Sequence, residues 1–383
     1  MGQFFKFMFA SMFGFILGSV VIGLIFAVLI FGAIGAAAGS FNFEGKPVTV
    51  KDRSILHMEL VQTIVDRGDK DELMFDFGPF KQASRLGLND ILADLEKAKT
   101  DDRIKGVFMD LGFSVNARMA TVQEIRDKIL EFKKESGKPV IAFAELYTQG
   151  TYYLASAADE VYLVPQGDLD FRGLQAEMMF LKGLFDKLGI EMQFIRGSNN
   201  RFKSYGETFI LKEMSPENER QMSELIGGLW DQYLTVVGAS RNIDKAKLNE
   251  VAEKLVVREA KDAVGAGMID GLKYRDEVIT LMKEKMGLDT DEDLRLLSLA
   301  KYARASMPVK GGEKTVSTYN KPKLAVVYAQ GDINSGESEE GSIGSTTIAE
   351  ALRQAREDSM VKAIVFRVNS PGGSGLASEV IWR

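Results

Sequence analysis

The sequence predicts an α/β fold with mostly parallel strands, built twice in tandem behind an N-terminal transmembrane helix. Three observations carry this expectation. Short apolar runs of strand character alternate with segments of helical period, the alternation that puts helices on a parallel sheet. One block of that pattern recurs at a constant offset of 257 residues, Leu88–Ser114 against Ser345–Pro371. And the chain opens on an uncharged stretch longer than the roughly 20 residues that cross a bilayer.

The N-terminal element comes first. No charged residue occurs from Phe7 to Phe43, and Phe13 to Ala38 is almost wholly apolar. Ala36-Ala37-Ala38 resembles a small-residue cleavage site, but a cleaved signal has an apolar core of only about 7–15 residues, so the segment reads as a retained anchor. Lys6 and the terminal amine are the only positive charges before it, which places the N-terminus in the cytoplasm and everything after residue 45 outside it. Gly14 and Gly18 form a GxxxG pair, a weak signal for pairing of such helices.

The first repeat follows. "DRSILHMEL" reads as a strand, "LNDILADLEKAK" as a helix with apolar residues three and four apart, and "IKGVFMDL" as a buried strand. Next come the helix "ATVQEIRDKILEFKKESG", the strand "PVIAFAEL", and a helix-to-strand passage over "YTQGTYYLASAADEVYLVP". "LFDKLGIEMQFIRGSNNRFKSYGETF" reads as helix, strand and polar loop, and Ser215-Pro216-Glu217 opens a long helix with a cap, a first-turn proline and an early acid. Residues 306–323, "SMPVKGGEKTVSTYNKPK", are polar and basic with two prolines and a glycine pair, and read as a linker. The second repeat then matches the first without a gap: Ile348 with Ile91, Leu352 with Leu95, Asp358 with Asp101, and "VKAIVFRV" with "IKGVFMDL". It breaks off in the first turns of the helix after "SPGG", and roughly 160 further residues would complete it. The division is therefore an anchor over 1–45, a first repeat with a helical extension over 46–305, a linker over 306–323 and the start of a second repeat over 324–383.

Composition limits the chemistry. There is no cysteine and one histidine, so a thiol nucleophile, a Cys-rich zinc site and disulfides are excluded, and no metal site is expected. His57 sits in an apolar run and reads as a packed side chain. The net charge of −6, with the basic residues scattered, points away from nucleic acid.

The stretch "SPGGSGLAS", Ser370–Ser378, is the strongest chemical signal. A strand that ends in a glycine pair and turns directly into a helix leaves backbone N–H groups open to a ligand, suited to an oxyanion. The competing reading is a tight turn with Ser370 or Ser374 as helix cap. The first repeat has Val115-Asn116 at the aligned place, so only the second copy has the glycines, Gly372 and Gly373. A serine nucleophile also needs a base. With His57 badly placed, a neutral lysine remains, and its pKa of about 10.4 would have to fall by about 3, roughly 4 kcal/mol of differential solvation. Lys203 in "NNRFKSYGETF", flanked by Phe202 and Tyr205 on a loop just past the expected strand, reads as a lysine that burial could depress.

The anchor, "YTQGTYYLASAADEVYLVPQG", "FKSYGETF" followed by "MSPENERQ", the linker position and "VKAIVFRVNSPGGSGLASEVI" together resemble the signal peptide peptidase A (protease IV) family in its long tandem-repeat form. The resemblance implies two crotonase- or Clp-protease-like domains assembled into a homo-oligomer on the outer face of the bacterial inner membrane. It implies cleavage of signal peptides and other apolar peptides by a Ser/Lys dyad, without a cofactor. It assigns Lys203 as general base and the "SPGG" glycines Gly372 and Gly373 as oxyanion hole. The nucleophilic serine is expected beyond Arg383, near position 404 by the repeat offset, at the turn where the first repeat carries Gln149. That leaves Ser374 as a helix-start residue and the 383 residues as a fragment lacking the nucleophile. A crotonase-fold acyl-CoA enzyme and an inactive membrane-bound scaffold are the alternatives, since fold does not determine function.

Overall fold

The structure, a computed structural model, describes residues 2–40, 48–68, 85–195, 197, 199–288, 292–307, 321–339 and 341–383, with only the backbone for 29–40. The expected linker falls largely outside them. The chain divides into two compact units, Met1–Thr49 and Val50–Arg383. The first is one helix, α1 (Gly2–Ser40), which starts ahead of the apolar run and takes in Lys6. Its stretch Gly2–Val28 is long and apolar enough to cross a membrane.

The second unit opens with the first repeat: β1 (Ser54–Met58), β2 (Ile64–Val65), β3 (Leu86–Gly87), α2 (Leu88–Thr100), β4 (Ile104–Leu111), α3 (Met119–Ser136), β5 (Val140–Tyr147), α4 (Gln149–Ala155) and β6 (Glu160–Leu169). Its helical extension holds α5 (Lys182–Leu188), α6 (Glu207–Ile210), α7 (Pro216–Arg241), α8 (Lys245–Glu253), α9 (Ala260–Gly265), β7 (Gly271–Leu272), α10 (Arg275–Lys285), β8 (Arg295–Ser298) and α11 (Leu299–Ala303). The sheet runs β7-β6-β5-β4-β1-β8, and every pair in it is parallel. A parallel sheet needs both faces covered, and the side chains alternate accordingly. Ile55, Phe108, Ile141, Phe143 and Tyr162 pack with Val278 and Met282 of α10. The alternate residues Leu56, Val107, Met109 and Ala142, all buried, serve the other face, where α2 contributes Leu88, Ile91 and Leu95 and α3 contributes Ile125, Ile129 and Phe132.

The second repeat comprises β9 (Lys323–Gln330), β10 (Asp332–Asn334), β11 (Ser342–Gly344), α12 (Ser345–Glu357), β12 (Val361–Asn369) and α13 (Gly375–Trp382). It reproduces the first in pairing as well as in sequence: β9 pairs β12 as β1 pairs β4, and β10 pairs β11 as β2 pairs β3, all parallel. Helix α12 lies at the 257-residue offset from α2 along its whole length. Upstream the register shows Ala325 in the place of Leu56 and Ile333 in that of Ile64, so the offset there is 269. The twelve-residue difference lies entirely in the segment between the two short strands.

The two copies differ in burial. In β4, Phe108, Met109 and Leu111 are 0%, 0% and 3% exposed, while their counterparts Val365, Phe366 and Val368 are 51%, 41% and 54% exposed. A cavity of about 380 Å³ lined by Ala329, Ile333, Ile343, Leu352, Phe366 and Val368 opens beside α13. Ile64, Leu95, Met109 and Leu111 hold four of those positions in the first repeat, and all are core there. The cavity is therefore the unfilled core of the second sheet. In the first repeat the corresponding edge of β4 is taken by β5.

One sequence expectation fails. No strand forms over Glu191–Ile195, and Ile195 is 95% exposed. Apolar alternation proposes a strand, but only a neighbouring ladder makes one, and no strand adjoins this segment among the described residues.

Candidate active site

The second-repeat turn is built on β10. Ile333 N–H donates to Gly372 O at 3.0 Å and Ser374 N–H donates to Ile333 O at 2.8 Å, closing an isolated parallel bridge between Ile333 and Gly373. In a parallel ladder these two bonds engage the neighbours of the bridging residue, so the N–H of Gly373 itself points to the side away from β10. Only glycine fits there. Its φ is 155°, and a Cβ would stand 2.2 Å from Ile333 O. Gly372, at φ 115°, borders open space, and its N–H is held by Ser370 Oγ at 3.1 Å. The turn thus presents a bare, outward-facing backbone at the C-terminal end of a parallel strand, where an oxyanion can approach.

Ser374 has a structural task. It is the N-cap of α13, its Oγ accepting from Ala377 N–H at 3.2 Å. The corresponding place in the first repeat is shifted by one residue from the ungapped alignment. Ile64 N–H donates to Asn116 O, and the N-cap of α3 is Arg118, so Asn116-Ala117, not Val115-Asn116, stands where Gly372-Gly373 stands in the second. Without glycines this turn lacks the open backbone.

Lys203 lies on the turn that leads into α6, its N–H donating to Asn200 O at 3.1 Å. Here the structure departs from the expected burial: Lys203, Phe202 and Tyr205 are all exposed, although the ring of Phe194 packs against Gly206 just beyond them. What holds the turn is a residue that sequence reasoning missed. Glu207 is 3% exposed; its carboxylate accepts from Ser215 N–H at 3.2 Å, from Ser215 Oγ and from Asn218 Nδ2 at 3.0 Å. The N-cap of α7 and the lysine turn are thereby one unit, and the pairing of "GETF" with "SPEN" was the available signal.

The first repeat's counterpart of the expected nucleophile turn is also fully engaged. Thr148 caps α4 in a capping box with Thr151. Gln149 donates from Nε2 to Gly173 O at 2.9 Å and accepts at Oε1 from the N–H groups of Arg172 and Gly173 at 2.7 and 2.8 Å. A primary amide locked into a turn is no nucleophile, so this copy of the site is structural.

His57 is packed, stacked on Phe108 with ring centroids 5.5 Å apart. Its Nε2 meets Asp110 Oδ2 at 3.2 Å, with Glu59 at 3.6 Å. The three could converge on a cation, but Arg275 already donates to Asp110 Oδ2 from Nε and a terminal NH2, at 2.9 and 2.7 Å. Burial pushes the Asp110 carboxyl up, and the hydrogen bonds from His57 and Arg275 outweigh it, holding it below its ordinary range. The guanidinium supplies the positive charge this carboxylate needs.

The chain is thus a doubled, parallel α/β arrangement whose second copy ends a strand in an open glycine turn and whose first copy presents an exposed lysine turn. Residues 132–289, which include the Gln149 and Lys203 turns, match the model of peptidase family S49, and this match together with the relatives that follow supports assignment of the chain to that family. It is 35% identical over 306 residues to Protease 4 of Haemophilus influenzae, covering 78% of this chain and 48% of that protein. It is 34% identical over 375 residues to Protease 4 of Salmonella typhi, covering 94% and 58%. With the chloroplastic serine protease SPPA of Arabidopsis thaliana it shares 32% identity over 307 residues, 78% of this chain and 43% of that one. The chain spans about half the length of the curated relatives it matches.

Proposed function

We propose that this chain is part of a membrane-anchored serine endopeptidase that degrades cleaved signal peptides and other apolar peptides at the extracytoplasmic face of a bacterial inner membrane, as a homo-oligomer and without a cofactor. The observation that carries the reading is the Gly372–Gly373 turn, bare on its outer side and restricted to glycine by Ile333. In the mechanism, Gly373 N–H stabilises the developing oxyanion of the scissile carbonyl. Lys203 accepts the proton of the attacking serine and returns it to the leaving amine. The nucleophile is a serine outside the 383 residues, on the second repeat's counterpart of the Thr148–Gln149 helix start. Its strand and helix would cover the bare face of β12 as β5 and α4 cover β4, and the half-length match to the Protease 4 relatives supports this placement.

Lys203 must be neutral to act as a base, and it is exposed here. Its desolvation comes from what closes over it: the bound peptide, the rest of the second repeat or a neighbouring copy. The apolar helix Gly2–Val28 supplies the anchor, with Lys6 on its cytoplasmic side.

The test uses the natural full-length protein and a fluorophosphonate probe. Labelling is expected at a serine beyond Arg383 and not at Ser374, and both Lys203→Ala and Lys203→Arg should abolish labelling and peptide hydrolysis while the protein stays folded, since arginine does not deprotonate in proteins. Label on Ser374, or hydrolysis surviving in the arginine variant, would refute the assignment.

A further inference from the structure

The second repeat touches the first through a polar cluster that the catalytic reading leaves unused. Asp66, which follows β2 of the first repeat, is 2% exposed. Its Oδ1 accepts from a terminal NH2 of Arg367 at 2.9 Å, and its backbone N–H donates to Gln330 Oε1 at 2.9 Å. Its carbonyl accepts from Asn89 N–H at 3.3 Å, at the start of α2. Arg367 also reaches Glu124 of α3, with contacts of 2.8 and 3.1 Å to the two carboxylate oxygens.

The placement of the two second-repeat residues matters. Gln330 is the last residue of β9, and Arg367 sits two residues before the end of β12. Gly331 N–H donates to Asn369 O at 3.0 Å, so the C-terminal ends of both strands are tied to each other and, through these side chains, to one residue of the first repeat. The glycine turn begins three residues after Arg367. In the first repeat the matching strand position is Asp110, whose partners His57 and Arg275 lie in its own repeat. The outward reach of Arg367 is thus a feature of the second copy alone.

Burying the Asp66 carboxylate is costly unless a partner neutralises it, so the cluster favours one relative placement of the repeats over others. The pairing is one-pronged: Asp66 Oδ2 and Arg367 Nε are both buried without a hydrogen-bond partner, and a slight approach of the two would complete the two-pronged geometry that arginine and carboxylate favour.

We propose that Arg367 and Gln330 are positioning residues, clamping the strand ends of the second repeat onto Asp66 and Glu124 so that the Gly372–Gly373 turn is held in place relative to the lysine turn of the first repeat. The proposal rests on the reading of Lys203 and the glycine turn as parts of one site. Neither residue touches the reacting atoms. Their effect is on geometry, where a displacement of about 1 Å can cost around 10²-fold in rate.

These 383 residues contain no cysteine, so labels can be placed in them singly once any cysteine elsewhere in the full-length protein is replaced. Spin labels on Tyr205→Cys and Leu376→Cys, both highly exposed positions, report the distance between the lysine turn and the start of α13. The parent should give one narrow distribution, and Arg367→Met and Asp66→Asn should broaden it. Gln330→Ala should do so less, and Arg367→Lys should recover part of the narrowing. In the full-length protein, Arg367→Met should lower kcat for peptide hydrolysis about 10-fold to 100-fold with KM within a few-fold. A general loss of folding would instead lower the amount of active enzyme, read by active-site titration, without changing kcat per site. An unchanged distance distribution, or an unchanged kcat, would overturn the clamp. If the labels respond but Lys203→Ala retains hydrolysis, the clamp stands and the catalytic assignment falls; if Lys203→Ala is inactive and Arg367→Met is normal, the reverse holds.

Discussion

Replacing Gly373 and Gly372 one at a time by alanine separates two reasons for having a glycine. Both residues occupy backbone conformations, φ 155° and 115°, that cost other residues about 1–3 kcal/mol. Only at Gly373 does the new methyl also collide, at 2.2 Å from Ile333 O and 2.6 Å from Ile333 N. The bridge must then open, losing the 3.0 and 2.8 Å bonds between β10 and the turn, each worth about 0.5–1.5 kcal/mol. Gly372→Ala should therefore destabilise the turn by about 1–3 kcal/mol and Gly373→Ala by about 2–6 kcal/mol. The assay is hydrogen exchange at the amides of Ile333 and Ser374, which donate those two bonds. Gly373→Ala should accelerate both by about 10-fold to 100-fold beyond Gly372→Ala. Ser374→Ala is the control: it removes the cap of α13, about 1 kcal/mol, and should speed exchange at Ala377 while leaving Ile333 protected. In the full-length protein, both glycine variants should lose hydrolysis and Ser374→Ala should keep most of it. Equal exchange at Ile333 in the two glycine variants would refute the steric argument and, with it, the orientation assigned to Gly373 N–H.

Asp94, on the buried face of α2, is a second point of test. Burial lifts its carboxyl from 3.8 to about 7, with Lys97 opposing and Asp90 adding to the rise. A raised acid binds its proton more tightly folded than unfolded, so its contribution to stability falls as pH rises from about 4 to about 7. Asp94→Asn should therefore stabilise the protein at pH 8, by at most about 4 kcal/mol, with the difference vanishing near pH 3; equal melting profiles of the two proteins at pH 8 would contradict it. For the anchor, the protein should sediment with membranes and resist alkaline extraction, and protease added on the extracytoplasmic side should digest the part after residue 45. Protection of that part would reverse the orientation.

Much of the fold was legible because it rests on short-range pattern. The 3.6-residue period of α2 and α3, the Ser215-Pro216 start of α7 and the apolar run of β4 each declare themselves within a dozen residues. The repeat declared itself too, since α12 and β12 keep the spacing of α2 and β4. Where reading failed, the deciding partner was distant or missing. "EMQFI" has the alternation of a strand but no ladder, and the exposure of Lys203 depends on how distant segments pack around its turn. Glu207 looked like any surface acid until Ser215 and Asn218 closed over it, eight and eleven residues on.

By itself, then, the sequence determined most of the helices and strands, the recurrence at an offset of 257 residues and the apolar N-terminal segment, because composition and periodicity are properties of the chain alone. The tertiary structure decided which backbone atoms face outward. That Gly373 rather than Gly372 is forbidden a side chain depends on where the carbonyl of Ile333 lies, 40 residues earlier in the chain. That Arg367 leaves its own repeat to neutralise Asp66, while Asp110 in the matching place stays within its own, depends on which charges burial left without water. Close approach and desolvation are set by the packing of distant segments, and no local pattern of residues encodes them.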